Sequence, residues 1–273
     1  MIEEGIGAFW RLYVESLAAG ICNPVYGIAL WITYRRYRRE QPKTAWQRTL
    51  QSGIWGLAVG SFGMLLVCVL GLSVKVGMDL ILLFPMALLL SKIRPRFACF
   101  AYSGACVGIL GLWNLADVSG ILATVGLLHF MEVFLIASGA PTQEQFVVYG
   151  GRVHRILEQK AIWALPFALL IPVAGEGGLH MPAWWPLWGN GENFAVFPMT
   201  ALVFYETREV RGKSIWKLLG YSVLLLGLAL WDPQDIPGKI LCLALMVGIH
   251  EGMLLVSFPK ARYNKKESEK KET

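Results

Sequence analysis

Imidazoles and carboxylates occur as two close sets inside apolar sequence, His129-Phe-Met-Glu132 and His250-Glu251. Side chains three apart lie on one face of a helix, so His129 and Glu132 point the same way. Glu206, at the inner end of another apolar run, is a fifth group within the same reading. At the centre of a membrane helix an ionisable residue costs about 2.5 to 3.5 kcal/mol on insertion scales, so such residues face the protein interior and find partners there. Two chemistries suit this set. One is a hydrogen-bonded cluster that fixes the register of two helices. The other is a metal or proton site, since imidazole and carboxylate are both zinc ligands. The structural cluster is the simpler expectation, and on it no catalytic residue, metal or cofactor is assigned.

Familiar hydrolase signatures fail residue by residue. A zincin needs a second His one helical turn after the first of His-Glu-x-x-His, and Leu254 stands there. Tyr102-Ser103-Gly104 resembles the nucleophile of intramembrane serine proteases, but Ala101 replaces the preceding Gly and no His is clearly paired with it. The five cysteines (Cys22, Cys68, Cys99, Cys106 and Cys242) lie in apolar runs and form no Cys-x-x-Cys pair, so they read as free packing thiols.

The elements carrying these groups suit lipid. Of 273 residues, 55% are hydrophobic and 16% charged, against about 25% charged in a soluble domain. Nine apolar runs bounded by charge follow one another: 18–34, 53–73, 76–91, 97–115, 119–137, 161–174, 194–205, 215–231 and 240–258. The sixth and seventh are short and contain Pro166, Pro172 and Pro198. The expected fold is therefore an all-α polytopic transmembrane bundle of about seven to nine spans. Residues 1–17 form an interfacial amphipathic segment before it, 18–258 the membrane domain, and 259–273 a basic disordered cytoplasmic tail. The acidic Met1-Ile2-Glu3-Glu4 start argues against a cleaved signal peptide. Met181 to Trp188 suits an aromatic anchor in an outer loop.

Charge sets the orientation. With nine crossings, all of the 25 Lys and Arg except Arg11, Lys75 and Lys239 fall on one side, while Asp117, Glu176, Glu192, Asp232 and Asp235 fall on the other. By the positive-inside rule the C-terminus is cytoplasmic and the N-terminus extracytoplasmic. A single re-entrant excursion over 161–205 preserves that sidedness.

Within the cytoplasmic stretch 138–160, β-prone runs flank Gly150-Gly151, a small β-hairpin signal. Phe146, Tyr149, Gly150, Gly151, Arg152 and Arg155 are its candidate partner-contact residues. The glycine series Gly53, Gly56, Gly60, Gly63 and the pair Gly104/Gly108 allow close approach between helices. No nucleotide or nucleic-acid motif is present; the basic loops suit anionic lipid, with the bilayer and membrane or cytoplasmic proteins as partners. Homo-oligomerisation is compatible with the sequence.

The order of several motifs resembles the membrane region of the Firmicutes PDZ-domain membrane proteins, which include MinJ-like cell-division topology proteins. Those motifs are Asn23-Pro24-Val-Tyr26, the glycine-rich second run, Arg96-Phe-Ala-Cys-Phe-Ala-Tyr102, His129-x-x-Glu132, Trp163-x-x-Pro166, Gly220-Tyr-Ser222 and His250-Glu251. Phe204-Tyr-Glu-Thr-Arg208 departs from the family's Gly-Tyr-x-Asp pattern, and no PDZ domain follows the last apolar run. The resemblance implies a bacterial cell-membrane scaffold or accessory protein of division or sporulation, not an enzyme. A small transporter or channel using the buried His/Glu groups is the rival expectation, and an intramembrane metal-dependent enzyme the third. The sidedness predicts that green fluorescent protein fused after Thr273 fluoresces and that alkaline phosphatase fused there is inactive; the reverse pattern would invert the topology.

Overall fold

The structure is a computed structural model that describes residues 2–74, 78–139, 142–149, 152–173, 179–180, 193–207 and 211–257. Among them are eight α-helices and a four-stranded antiparallel sheet: α1 (Ile2–Cys22), α2 (Pro24–Glu40), α3 (Ala45–Leu70), α4 (Met78–Ser91), α5 (Phe100–Gly108), α6 (Val118–Gly139), α7 (Arg211–Trp231), α8 (Ile236–Ser257), β1 (Thr142–Tyr149), β2 (Arg152–Pro172), β3 (Leu179–His180) and β4 (Asn193–Thr207), with α1, α2 and α3 the helices that pack on the sheet. Short 3-10 helices, Pro95–Ala98 and Ile109–Trp113, bracket α5. Three helical stretches are long and apolar enough to cross a membrane, Ala45–Val69, Val118–Ser138 and Ile236–Leu254; counting the bent α1/α2 pair as one span makes four.

The first apolar run is broken rather than straight. Asn23 caps α2 by accepting a hydrogen bond from Val25 N at 3.0 Å, and Pro24 occupies the first helical turn, where a missing N–H costs nothing. The resulting bend is 48°. Nor does the first element end at residue 17: α1 is continuous to Cys22 and buries Leu12 and Ser16 against its neighbours.

The main correction concerns the sixth and seventh runs. They are strands, so the fold is a helical bundle with an embedded sheet rather than all-α. The expected hairpin is present as β1 paired with the start of β2, from Tyr149↔Arg152 to Thr142↔Gln159. Beyond that, β2 continues past the end of β1 and pairs with β4 from Ala161↔Tyr205 to Pro172↔Phe194. Strand order is β1-β2-β4-β3. About nine to eleven residues of strand cross a hydrocarbon core, so each arm has the length of a crossing. Because Lys160 faces Glu206, the paired stretch of β2 and β4 opens and closes at one end of the sheet.

The prolines fit this register. Ile162 turns both its N–H and its C=O away from β4, toward Tyr37. Pairing alternates, so Pro166 and Pro172 share that outward phase, and Pro198, opposite Ala168, points away from β2 on the other arm. None of the three removes a bond between the two strands, which is where proline is tolerated in a sheet.

Past residue 160 the outer edge of β2 no longer has β1 beside it. Tyr37 Oη accepts from Ile162 N at 3.2 Å and donates to Ile162 O at 3.3 Å, and Ser52 Oγ donates to the same oxygen at 2.6 Å. Farther along, Val74 N donates to Leu170 O at 2.8 Å. Between these points a Cβ on Gly56 would collide with Ala164 O, and one on Gly60 with Pro166 O. The glycine series of α3 therefore admits a strand edge in its middle, while Gly63 meets Met131 of α6.

This seating predicts opposite signs for two alanine substitutions. Gly60→Ala forces backbone apart and costs about 1 to 3 kcal/mol. Gly220→Ala, with nothing within 4 Å of the added methyl, gains up to about 1 kcal/mol of helix propensity. Thermal unfolding in detergent measures both, and equal stability of the two variants would refute the seating.

Candidate functional site

α5, α6 and α8 pack against one another, with α7 against the last two. Gly104 on α5 makes the approach close, since a side chain there would press on Ile121 and Val125 of α6 and Met246 of α8. Three side chains converge where these helices meet. Cys99 is the extended junction residue between the 3-10 turn at Pro95–Ala98 and α5. Its Sγ lies 3.3 Å from His129 Nε2 on α6 and 3.3 Å from His250 Nε2 on α8. The three ligand atoms all fall within 4.8 Å of one another. Both imidazoles are buried, and Cys99 is partly so.

The partners on the far side of each ring fix its tautomer. His129 Nδ1 is 2.8 Å from Val125 O, which can only accept, so Nδ1 carries the proton. His250 Nδ1 is 3.3 Å from Tyr102 Oη. That hydroxyl donates its own proton to Glu251 Oε1 at 2.6 Å, and Glu251 Oε2 is 3.5 Å from Arg96 Nη1. The tyrosine oxygen must then accept from His250 Nδ1. Tyr221 closes the floor: its ring stands edge-on to His129, 5.0 Å between centroids, and its hydroxyl donates to Met246 O at 2.6 Å.

Both Nε2 atoms are consequently bare acceptors, and the only hydrogen they share is one S–H. A thiol donates once. One imidazole lone pair is left without a donor among the described residues, in a place where an unmade hydrogen bond costs about 1 to 3 kcal/mol. Two lone pairs and a thiol sulfur aimed at one point suit a Lewis acid.

The sequence-predicted residues divide accordingly. His129 and His250 meet, and Glu251 joins them through Tyr102. Glu132 follows His129 by one turn on α6 but makes no hydrogen bond to the trio among the described residues. Glu206 sits on β4 opposite Lys160, an element that packs on β2, α1 and α2 rather than on the site helices. Of the hairpin candidates, Gly150 and Gly151 lie outside the described residues, as do the side chains of Phe146, Tyr149, Arg152 and Arg155 and of Glu206. The aromatic loop 181–188 and the tail 259–273 lie outside them too.

Sequence reasoning missed Cys99, which is a member of the cluster and not a packing thiol. Its signal was the Cys99/Tyr102 spacing of one helical turn beside Arg96, all within a single seven-residue motif.

Together these features define a helical bundle with an embedded β-hairpin and a buried Cys/His/His centre. Compared with family models, curated proteins and solved structures, the chain matches none.

The Tyr102 bridge predicts coupling. Tyr102→Phe strands the His250 Nδ1–H and removes a donor from Glu251, a loss of about 1 to 3 kcal/mol in stability. In a double-mutant cycle with Glu251→Gln the two losses are non-additive by about 0.5 kcal/mol or more; strict additivity in denaturant unfolding would show that the two residues act separately.

Proposed function

We propose that this chain is an integral membrane protein that holds a cation between α5, α6 and α8 and works through it, in the class of small transporters or membrane-embedded metal-dependent proteins. One observation carries the reading: two imidazoles, each with its tautomer held by an outer partner, present bare Nε2 atoms to a single thiol. A cluster serving only to hold helices in register has no use for a surplus of acceptors, because each unmet acceptor subtracts from stability. The multi-pass arrangement with cytoplasmic C-terminus, taken from the basic loops, places Cys99 at the inner end of its helix, directly after Lys92, Arg94 and Arg96.

A second reading, the division or sporulation scaffold implied by the MinJ-like resemblance, is favoured by the β1 arm. Among the described residues β1 packs substantially on β2 alone, which leaves its other edge available for another chain.

The test is thermal unfolding of detergent-purified, chelator-treated protein against a panel of mono- and divalent cations. A ligand that binds the folded state alone stabilises by about 2.7 kcal/mol at one hundred times its dissociation constant. The expected result is an upward shift with at least one cation, lost in a Cys99→Ser/His250→Gln double variant. If no cation shifts the wild type, and a deletion phenotype is rescued by His250→Gln but not by a chain with β1 replaced, the scaffold reading takes its place.

A further inference from the structure

We infer that the cation is zinc(II), held by Cys99 Sγ, His129 Nε2 and His250 Nε2, with a fourth coordination position left open. This identification rests on the cation-centre reading above and goes further by naming the ion and its ligands.

The donor set decides the metal class. Sodium, magnesium and calcium take oxygen ligands, whereas one thiolate with two imidazoles suits zinc and its neighbours. The carboxylate nearest in sequence to His250 is committed elsewhere: Glu251 accepts from Tyr102 and faces Arg96. No oxygen atom belongs to the converging trio.

The spacing decides the geometry. Bonds of about 2.3 Å to sulfur and about 2.0 to 2.1 Å to nitrogen, at a tetrahedral angle, separate S from N by about 3.5 Å. Each of the two S···N distances here is 3.3 Å, so each sulfur–nitrogen pair already stands near the separation that a shared ion requires, and the two nitrogens lie within 4.8 Å of each other. The outer partners complete the pattern. A ligating histidine usually gives its other N–H to a carbonyl or a carboxylate. His129 gives its own to Val125 O, and His250 reaches the Glu251 carboxylate through Tyr102.

Zinc binding replaces the thiol hydrogen: the S–H bond breaks, a Zn–S bond forms, and the proton leaves to water. The charge left by a divalent ion and one thiolate is +1, and Glu132 lies one turn from His129 on the same helix. Three protein ligands are the number found in zinc sites that keep a position for water or substrate. The ion also ties α5, α6 and α8 together through residues far apart in sequence.

The experiment is metal analysis of the full chain purified without chelators, followed by cobalt(II) substitution. The expected content is about one zinc per chain, with a thiolate-to-cobalt charge-transfer band that disappears in Cys99→Ser. His129→Gln and His250→Gln lose the metal, whereas Cys106→Ser, an exposed cysteine outside the cluster, keeps both metal and band. Circular dichroism of each variant shows that helix content is retained. The inference is overturned if zinc-supplemented wild type binds none, or if zinc and band persist in Cys99→Ser. Stabilisation by sodium, potassium or copper(I) alone defeats zinc but leaves the cation-centre reading standing, while a wild type that responds to no cation defeats both.

Discussion

A strand buried among helices must find partners for every outward-facing backbone group, and in this molecule that requirement falls on the free edge of β2. Water is the usual remedy at a sheet edge and is not available in an apolar interior. Here the remedy is side chains and glycine. Tyr37 behaves toward Ile162 as a neighbouring strand would, with one oxygen that both accepts and donates. Ser52 adds a second donor, and Val74 supplies a backbone N–H at the far end. Over the intervening stretch α3 brings Gly56 and Gly60 against two carbonyls, leaving Cα hydrogens as the groups that face them, each worth about 0.5 to 1 kcal/mol.

Much of the packing follows from that seating. The strand fixes where α3 lies, and α2 must run close enough for Tyr37 to reach over it. The same glycine series continues to Gly63, whose bare surface receives Met131 of α6. Met131 is two residues from His129. The position of one metal-type ligand is thus linked through a single helix to the seating of the hairpin, and a shift of β2 against α3 would be felt at the centre through packed side chains.

Sequence made the two ends of this chain of contacts visible, but not its middle. His129 and His250 stood out because imidazoles are rare in apolar runs. Cys99 did not, because a thiol is an ordinary occupant of such runs, and its role depends on helices brought together from positions 30 and 151 residues apart. The β2–β4 pairing was hidden for a related reason. A buried strand and a buried helix are both continuous apolar runs, and length alone separates them poorly. The prolines were the available clue: Pro166 and Pro172 lie an even number of positions apart, as residues sharing one strand edge must. Only the pairing with β4 turned that spacing into a register. The glycine series announced a close approach without saying to what, since a helix and a strand edge make the same demand on a Cβ.

The centre obeys the opposite logic from the β2 edge, and the contrast supports its being a working site. Along the outer edge of β2, Ile162 and Leu170 are given hydrogen-bond partners, the prolines sit where no donor is wanted, and the glycines of α3 remove volume. At the trio, the outer side of each ring is satisfied, His129 by Val125 O and His250 by Tyr102, which is linked in turn to Glu251 and Arg96. That satisfaction stops on the inner side. Two bare acceptors face one donor across 3.3 Å, held there by partners that prevent either ring from turning away. Placing a donor there would cost nothing structural, and an asparagine in place of either histidine would supply one. Two oriented lone pairs aimed at one thiol are the arrangement that the proposed cation would use.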